Sequence, residues 1–185
     1  MEIKQVFRTL SESSGVSGYE HDLASTLQEN CPWADEIKTD KLGNVIMLKK
    51  GQGTGPRPKV MLAGHMDEIG LIITKIEKEG FLRFGTIGGF DQRVLLAQEV
   101  VVHGKERLTG IIGAKPPHIQ APGEQGQAVK MDDLFIDIGF DSQEQAAKYV
   151  RVGDIATMKR DVLDLQGSIM AGKSFDDRAG VAAIF

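Results

Sequence analysis

Val60-Met61-Leu62-Ala63-Gly64-His65-Met66-Asp67-Glu68 is the stretch on which the fold turns. Its first four residues are all apolar, the pattern of a short strand covered on both faces at the centre of an α/β sheet. Gly64 ends the run and polar residues follow at once. In open α/β sheets, ligands bind just beyond the carboxyl ends of the strands, so His65 and Asp67 stand where a site belongs. A neutral imidazole is a good ligand for zinc or cobalt. In an extended chain the side chain two residues on points the same way. A carboxylate there accepts the ring's other N–H and fixes its tautomer. Alone, H-x-D is a weak motif, and on spacing by itself the pair reads as a polar strand end.

Upstream, Ile3, Val6, Phe7 and Leu10 recur at i, i+3, i+4 and i+7, which predicts a helix over 2–13. Ser17 and Glu20 form an S-x-x-E capping box ahead of Leu23, Ala24 and Leu27, predicting a second helix that ends by Pro32. Asn44–Leu48 reads as a strand. Gly51–Pro56 reads as a plain turn, since no helix or Lys-Ser/Thr follows to make it a phosphate cradle.

Downstream, the texture changes at residue 69. Gly70–Ile76, Phe81–Phe84, Glu99–His103, Leu108–Ala114 and Leu134–Ile138 are short β-type runs separated by Gly, Pro, Asp and Asn, with Glu79-Gly80 as a hairpin turn. Only Gln143–Tyr149, preceded by Ser142, is helix-patterned here. The expected organisation is an α/β domain in two pieces, 1–68 and 164–185, with a β-rich barrel or sandwich at 69–163 inserted between them.

The second piece holds Ser174-Phe175-Asp176-Asp177-Arg178-Ala179-Gly180. Two adjacent carboxylates repel unless a cation or Arg178 compensates. One carboxylate can bridge two divalent ions, and an Asp can equally cap a helix N-terminus; one of the pair bridging while the other caps satisfies both readings. The sequence stops on Val181–Phe185, inside the predicted helix. Exposed apolar residues there would point to a piece of a longer polypeptide.

Composition excludes several classes. The 185 residues carry a net charge of −4 with scattered basic residues, against the concentrated basic face that a nucleic-acid partner requires. A lone Cys31 makes no internal disulfide, points to a reducing compartment and is read as a packed thiol. No run reaches the roughly 18 apolar residues of a membrane span, and the charged N-terminus is not a signal peptide; a cytoplasmic location is expected. There is no G-x-S-x-G for a serine hydrolase. His21 reads as solvent-exposed, and His103 and His118 as structural.

Taken in order, Ser14–Glu20, Asp40-Lys41-Leu42-Gly43-Asn44, Ala63–Gly70, Gly110–His118 and Ser174–Gly180 closely resemble the tetrahedral aminopeptidases, the glutamyl and deblocking enzymes, over essentially the whole chain. Some members of that family have been labelled endoglucanases or cellulases. The resemblance implies an α/β catalytic domain with a dinuclear zinc or cobalt centre, an inserted β-rich dimerisation domain, and dimers assembling into a dodecamer that acts on peptides. It places a metal ligand on His65, the metal-orienting carboxylate on Asp67 and the bridging carboxylate on Asp176, whose bond to Asp177 is typically cis. The general-base Glu, a Glu ligand, a further Asp and the last His of the family lie beyond the positions matched here. The chain by itself is therefore expected to be inactive. The alternatives are a non-catalytic oligomerisation module and, remotely, a polysaccharide hydrolase, which needs paired acids flanking a sugar cleft; the aromatic content of 6% is low for stacking sugars.

Overall fold

The structure, a computed structural model, describes residues 2–56, 58–119 and 129–185. It forms two compact units, Met1–Glu68 with Asp161–Phe185, and Ile69–Arg160. The return to the first unit falls at 161 rather than 164. The physical reason is that Val162 is already held there: its N–H donates to Glu12 Oε1 at 3.0 Å and its carbonyl accepts from Arg8.

The first unit begins with helices α1 (Ile3–Glu12) and α2 (His21–Glu29) and the hairpin β1 (Glu36–Thr39) and β2 (Val45–Leu48). The capping box does not form. Gly18 sits at φ +86°, which excludes the right-handed helix that a cap at Ser17 would start. Helix α2 begins at His21 without a side-chain cap, and Glu20 accepts from the Gly18 N–H instead. The apolar run 60–63 is not a buried strand either. Val60, Met61 and Leu62 are 82%, 88% and 66% exposed. A strand exists where a neighbour pairs its N–H and C=O groups, and among the described residues nothing in this unit pairs with the run.

The second unit is a closed antiparallel barrel in the order β3-β4-β7-β6-β5-β8. Its strands are β3 (Gly70–Ile76), β4 (Leu82–Ile87), β5 (Glu99–His103), β6 (Arg107–Gly113), β7 (Phe135–Asp137) and β8 (Ile155–Met158), with the short helix α3 (Gln143–Ala146) capped by Ser142. Period-two alternation sends Leu71 and Ile73 inward. It would next send in Lys75, but a bulge between Ile73 and Lys75 resets the phase so that Ile76 is buried instead, as one extra residue in a strand does. Val100, Val102, Ile112, Leu134 and Ile136 complete the filling. Gly110 is where the packing needs no side chain: a Cβ there would stand 2.6 Å from Ile136 Cγ2.

The chain then returns to the first unit with the hairpin β9 (Leu163–Asp164) and β10 (Met170–Ala171) and helix α4 (Phe175–Ile184). Val181 and Ala182 of α4 are buried against Val6, Leu10, Leu23 and Leu27, and the half-buried Phe185 packs at the edge of the same cluster. Cys31 is buried, and burial pushes its thiol pKa up. Among the described residues no helix is long and apolar enough to cross a membrane.

The barrel depends on its filled interior. Ile136→Ala is expected to lower the unfolding free energy by about 2–5 kcal/mol, as large-to-small changes at fully buried sites do. Urea denaturation of the variant checks this.

Candidate metal centre

The start of α4 sets one side of the site. Ser174 has φ +60°, in the left-handed region. Asp176 and Asp177 are not helical in φ/ψ, and the peptide bond between them is cis. Regular helix therefore begins at Arg178. Asp177 caps it, accepting the Gly180 N–H three residues on at 3.1 Å, the geometry of an N-cap side chain. The capping carboxylate fits because Gly64 and Gly180 lack side chains: a Cβ would stand 3.0 Å and 2.3 Å from its oxygens. Asp176 is left outside the cap with its side chain 97% exposed. The two adjacent carboxylates have separate surroundings.

The His65 segment forms the other side. His65 Nδ1 lies 2.9 Å from Asp67 Oδ1, and His65 Nε2 lies 3.1 Å from Asp176 Oδ1. Asp67 Oδ2 in turn accepts from the Ser17 hydroxyl, the serine that leaves the capping box unmade. Three residues singled out from sequence, His65, Asp67 and Asp176, thus meet across 111 positions of chain. His21, His103 and His118 do not join them: His103 pairs with Thr157 in the barrel, and His21 and His118 are exposed.

Electrostatics follow the contacts. Partial desolvation lowers the His65 pKa, but the hydrogen bonds and charges of Asp176 and Asp67 outweigh it and leave it above the ordinary value. The Ser17 hydrogen bond, and after it the bond and charge of His65, hold the Asp67 carboxyl below the usual range against its own desolvation.

Sequence reasoning missed Glu68, Lys173 and Ser174, and it offered Arg178 as a countercharge to the Asp176-Asp177 pair, whereas Arg178 turns to Glu68. Glu68 is buried. Its Oε2 accepts from Lys173 at 2.7 Å and Ser174 at 2.6 Å, and its Oε1 accepts from the Gly15 N–H at 3.0 Å. Arg178 is fully buried, with its guanidinium 3.6 Å from Glu68 Oε1. Burial lowers the Lys173 and Arg178 pKa values while Glu68 opposes the change. A signal was present: Arg178, Val181 and Ala182 are the buried stripe of α4 at i, i+3 and i+4. A charge on such a stripe must be paired.

The donor set suits a divalent ion. Two ligands of one tetrahedral zinc, at bond lengths of about 2.0–2.1 Å, lie roughly 3.3 Å apart; His65 Nε2 and Asp176 Oδ1 are 3.1 Å apart. Asp67 on the far nitrogen leaves the Nε2 lone pair facing Asp176 in the neutral ring. Two donors fall short of the three or four that zinc takes, and among the described residues no group of three or more His, Cys, Asp or Glu is clustered as a metal site.

The sequence matches the M42 glutamyl aminopeptidase family over residues 43–185. The chain belongs to that family. The lysyl aminopeptidase of Pyrococcus furiosus is 38% identical across 94% of this chain and 51% of its own length. The crystal structure of a TET aminopeptidase from the marine sediment archaeon Thaumarchaeota archaeon SCGC AB-539-E09 is 41% identical, with a TM-score of 0.90 over 98% of this chain and 51% of that one. The Pyrococcus horikoshii TET1 peptidase, described as assembling into a tetrahedron or a large octahedral shell, is 35% identical with a TM-score of 0.85 over 99% of this chain and 54% of that one. The chain spans about half the length of the relatives it matches. The barrel and the helical unit are the fold of TET aminopeptidase domains.

The divided roles of the carboxylates are separable by mutation. Asp177→Ala is expected to lower stability by about 1 kcal/mol, the worth of an N-cap. Asp176→Ala, at an exposed side chain, stays within about 0.5 kcal/mol of the parent. Paired urea melts check both.

Proposed function

We propose that this chain carries part of the centre of a metal-dependent aminopeptidase, which hydrolyses N-terminal residues from peptides with two divalent ions, zinc or cobalt. The observation that carries the reading is the convergence of His65 Nε2 and Asp176 Oδ1 at 3.1 Å with Asp67 behind the ring. Family membership supports the peptidase activity. In this reading His65 and Asp176 are ligands, with the exposed Asp176 carboxylate free to offer both oxygens. Asp67 holds the ring in the tautomer that directs Nε2 at the shared point, and its ionised state is maintained by the Ser17 hydroxyl. When bound, paired divalent ions polarise a scissile carbonyl and lower the pKa of a water. The missing donors and the general base come from outside the residues described.

The barrel is read as the subunit-contact unit of a homo-oligomer, by likeness to the Pyrococcus horikoshii assembly. A polysaccharide hydrolase is not favoured. Its two acids flank a sugar with room between them, whereas the imidazole of His65 fills the space between Asp67 and Asp176.

Two measurements test the reading. Zinc or cobalt titrated into the 185-residue protein is expected to bind weakly, and His65→Ala or Asp176→Ala to abolish that binding. Equal binding by parent and variants would remove both residues from the ligand set. The same polypeptide is expected to release no p-nitroaniline from Leu- or Glu-p-nitroanilide. Measurable release would show that the donors present suffice.

A further inference from the structure

The buried cluster behind the site has a geometry that packing alone does not require. Arg178 lies two residues after Asp176. Its Nε donates at 3.0 Å to the carbonyl of Met66, the residue between His65 and Asp67. One Nη donates to the carbonyl of Leu10 at 2.7 Å and also to that of Ser13, and the other lies 3.5 Å from the Gly15 carbonyl. A single planar fork therefore ties the helix that bears Asp176 to the peptide that bears His65 and Asp67, and both to the end of α1. Gly15 makes room for it: a Cβ there would stand 3.1 Å from the guanidinium. Glu68 supplies the countercharge and is itself held by Lys173, Ser174 and the Gly15 N–H.

We propose that Arg178, with Glu68 as its counterion, is the positioning residue of the metal centre: it sets the His65 ring against the Asp176 carboxylate before any ion binds. Its functional meaning rests on the reading of His65 and Asp176 as ligands. A site that forms only around its ion must order these segments at the moment of binding and loses affinity for it; a preformed one does not. Lysine cannot replace the fork, because one compact ammonium does not reach the carbonyls of Met66, Leu10 and Ser13 together.

The test uses the 185-residue protein free of metal, with Arg178→Lys, the same-shape variant Glu68→Gln, and Leu27→Ala as a control that weakens the same unit's core one turn further along α2. Three readouts are taken where each protein is folded: the ring ¹⁵N and ¹³C resonances of His65, amide exchange over 64–68 and 176–180, and zinc affinity. Leu27→Ala is expected to lower the melting temperature while leaving the His65 ring resonances at parent values. Arg178→Lys and Glu68→Gln are expected to move those resonances toward solvent-averaged histidine, speed exchange in both segments, and cut zinc affinity by about tenfold or more, the scale of losses on removing support to a ligand. If Arg178→Lys does not fold, Glu68→Gln carries the test. Parent-like ring resonances and exchange in the folded variants would overturn the proposal. Failure of the parent to bind zinc would instead remove the ligand reading, and the metal-free resonances would still decide whether Arg178 positions the ring.

Discussion

A guanidinium shut away from water must find acceptors for its five N–H groups and a partner for its charge. In the helical unit, Arg178 meets that demand with the carbonyls of Met66, Leu10, Ser13 and Gly15 and with the carboxylate of Glu68. These acceptors come from two separate stretches of chain, 10–15 and 66–68. Satisfying one side chain therefore specifies where both lie against the helix that carries it. A buried pair of this kind is weak evidence for net stability, because desolvation offsets much of the attraction. Breaking one partner is costly, however, and the cost applies to every arrangement in which the segments drift apart. The interaction acts as a specificity device, and the site inherits its order.

The division of labour at the start of α4 follows from the same economy of small residues. Gly64 and Gly180 admit the Asp177 carboxylate, which caps the helix. With the orphan N–H satisfied, Asp176 has no structural task and stands in solvent beside His65. Adjacent acids usually repel; here one is spent on the helix and the other on the imidazole. On the opposite side, the Ser17 hydroxyl serves the Asp67 carboxylate instead of a helix end. Polar groups that local sequence rules assign to capping are thus sorted by tertiary position between structure and site.

Much of the barrel was readable because period-two alternation is local. The boundaries at Gly70–Ile76 and Glu99–His103 coincide with strands, and the hairpin turn at Gly80 takes the positive φ that glycine tolerates. Strand β8 was missed although the Gly153-Asp154 turn precedes it: Ile155–Met158 is only four residues, and its pairing with β3 and β5 is what makes it a strand. The run 60–63 was misread for the converse reason. Apolar content predicts burial, but a strand is made by its neighbours, and none of the described residues of its unit hydrogen-bonds to it in a ladder. Ser17 failed as a cap because Gly18 turns left-handed, a choice dictated by the loop it must close and not by the S-x-x-E pattern.

By itself the sequence determined residue chemistry and local period: which stretches alternate, where a helix stripe runs, and which side chains are able to ligate or to cap. It could not place Asp176 beside His65, since contacts 111 positions apart depend on how intervening elements fold back. Nor does the helical spacing of Arg178 with Val181 and Ala182 by itself say that this charge, one among 22 lysines and arginines, is the one fully removed from water among the described residues. Burial is a property of the packed whole, and only there does an ordinary helix position become the point from which the site is held.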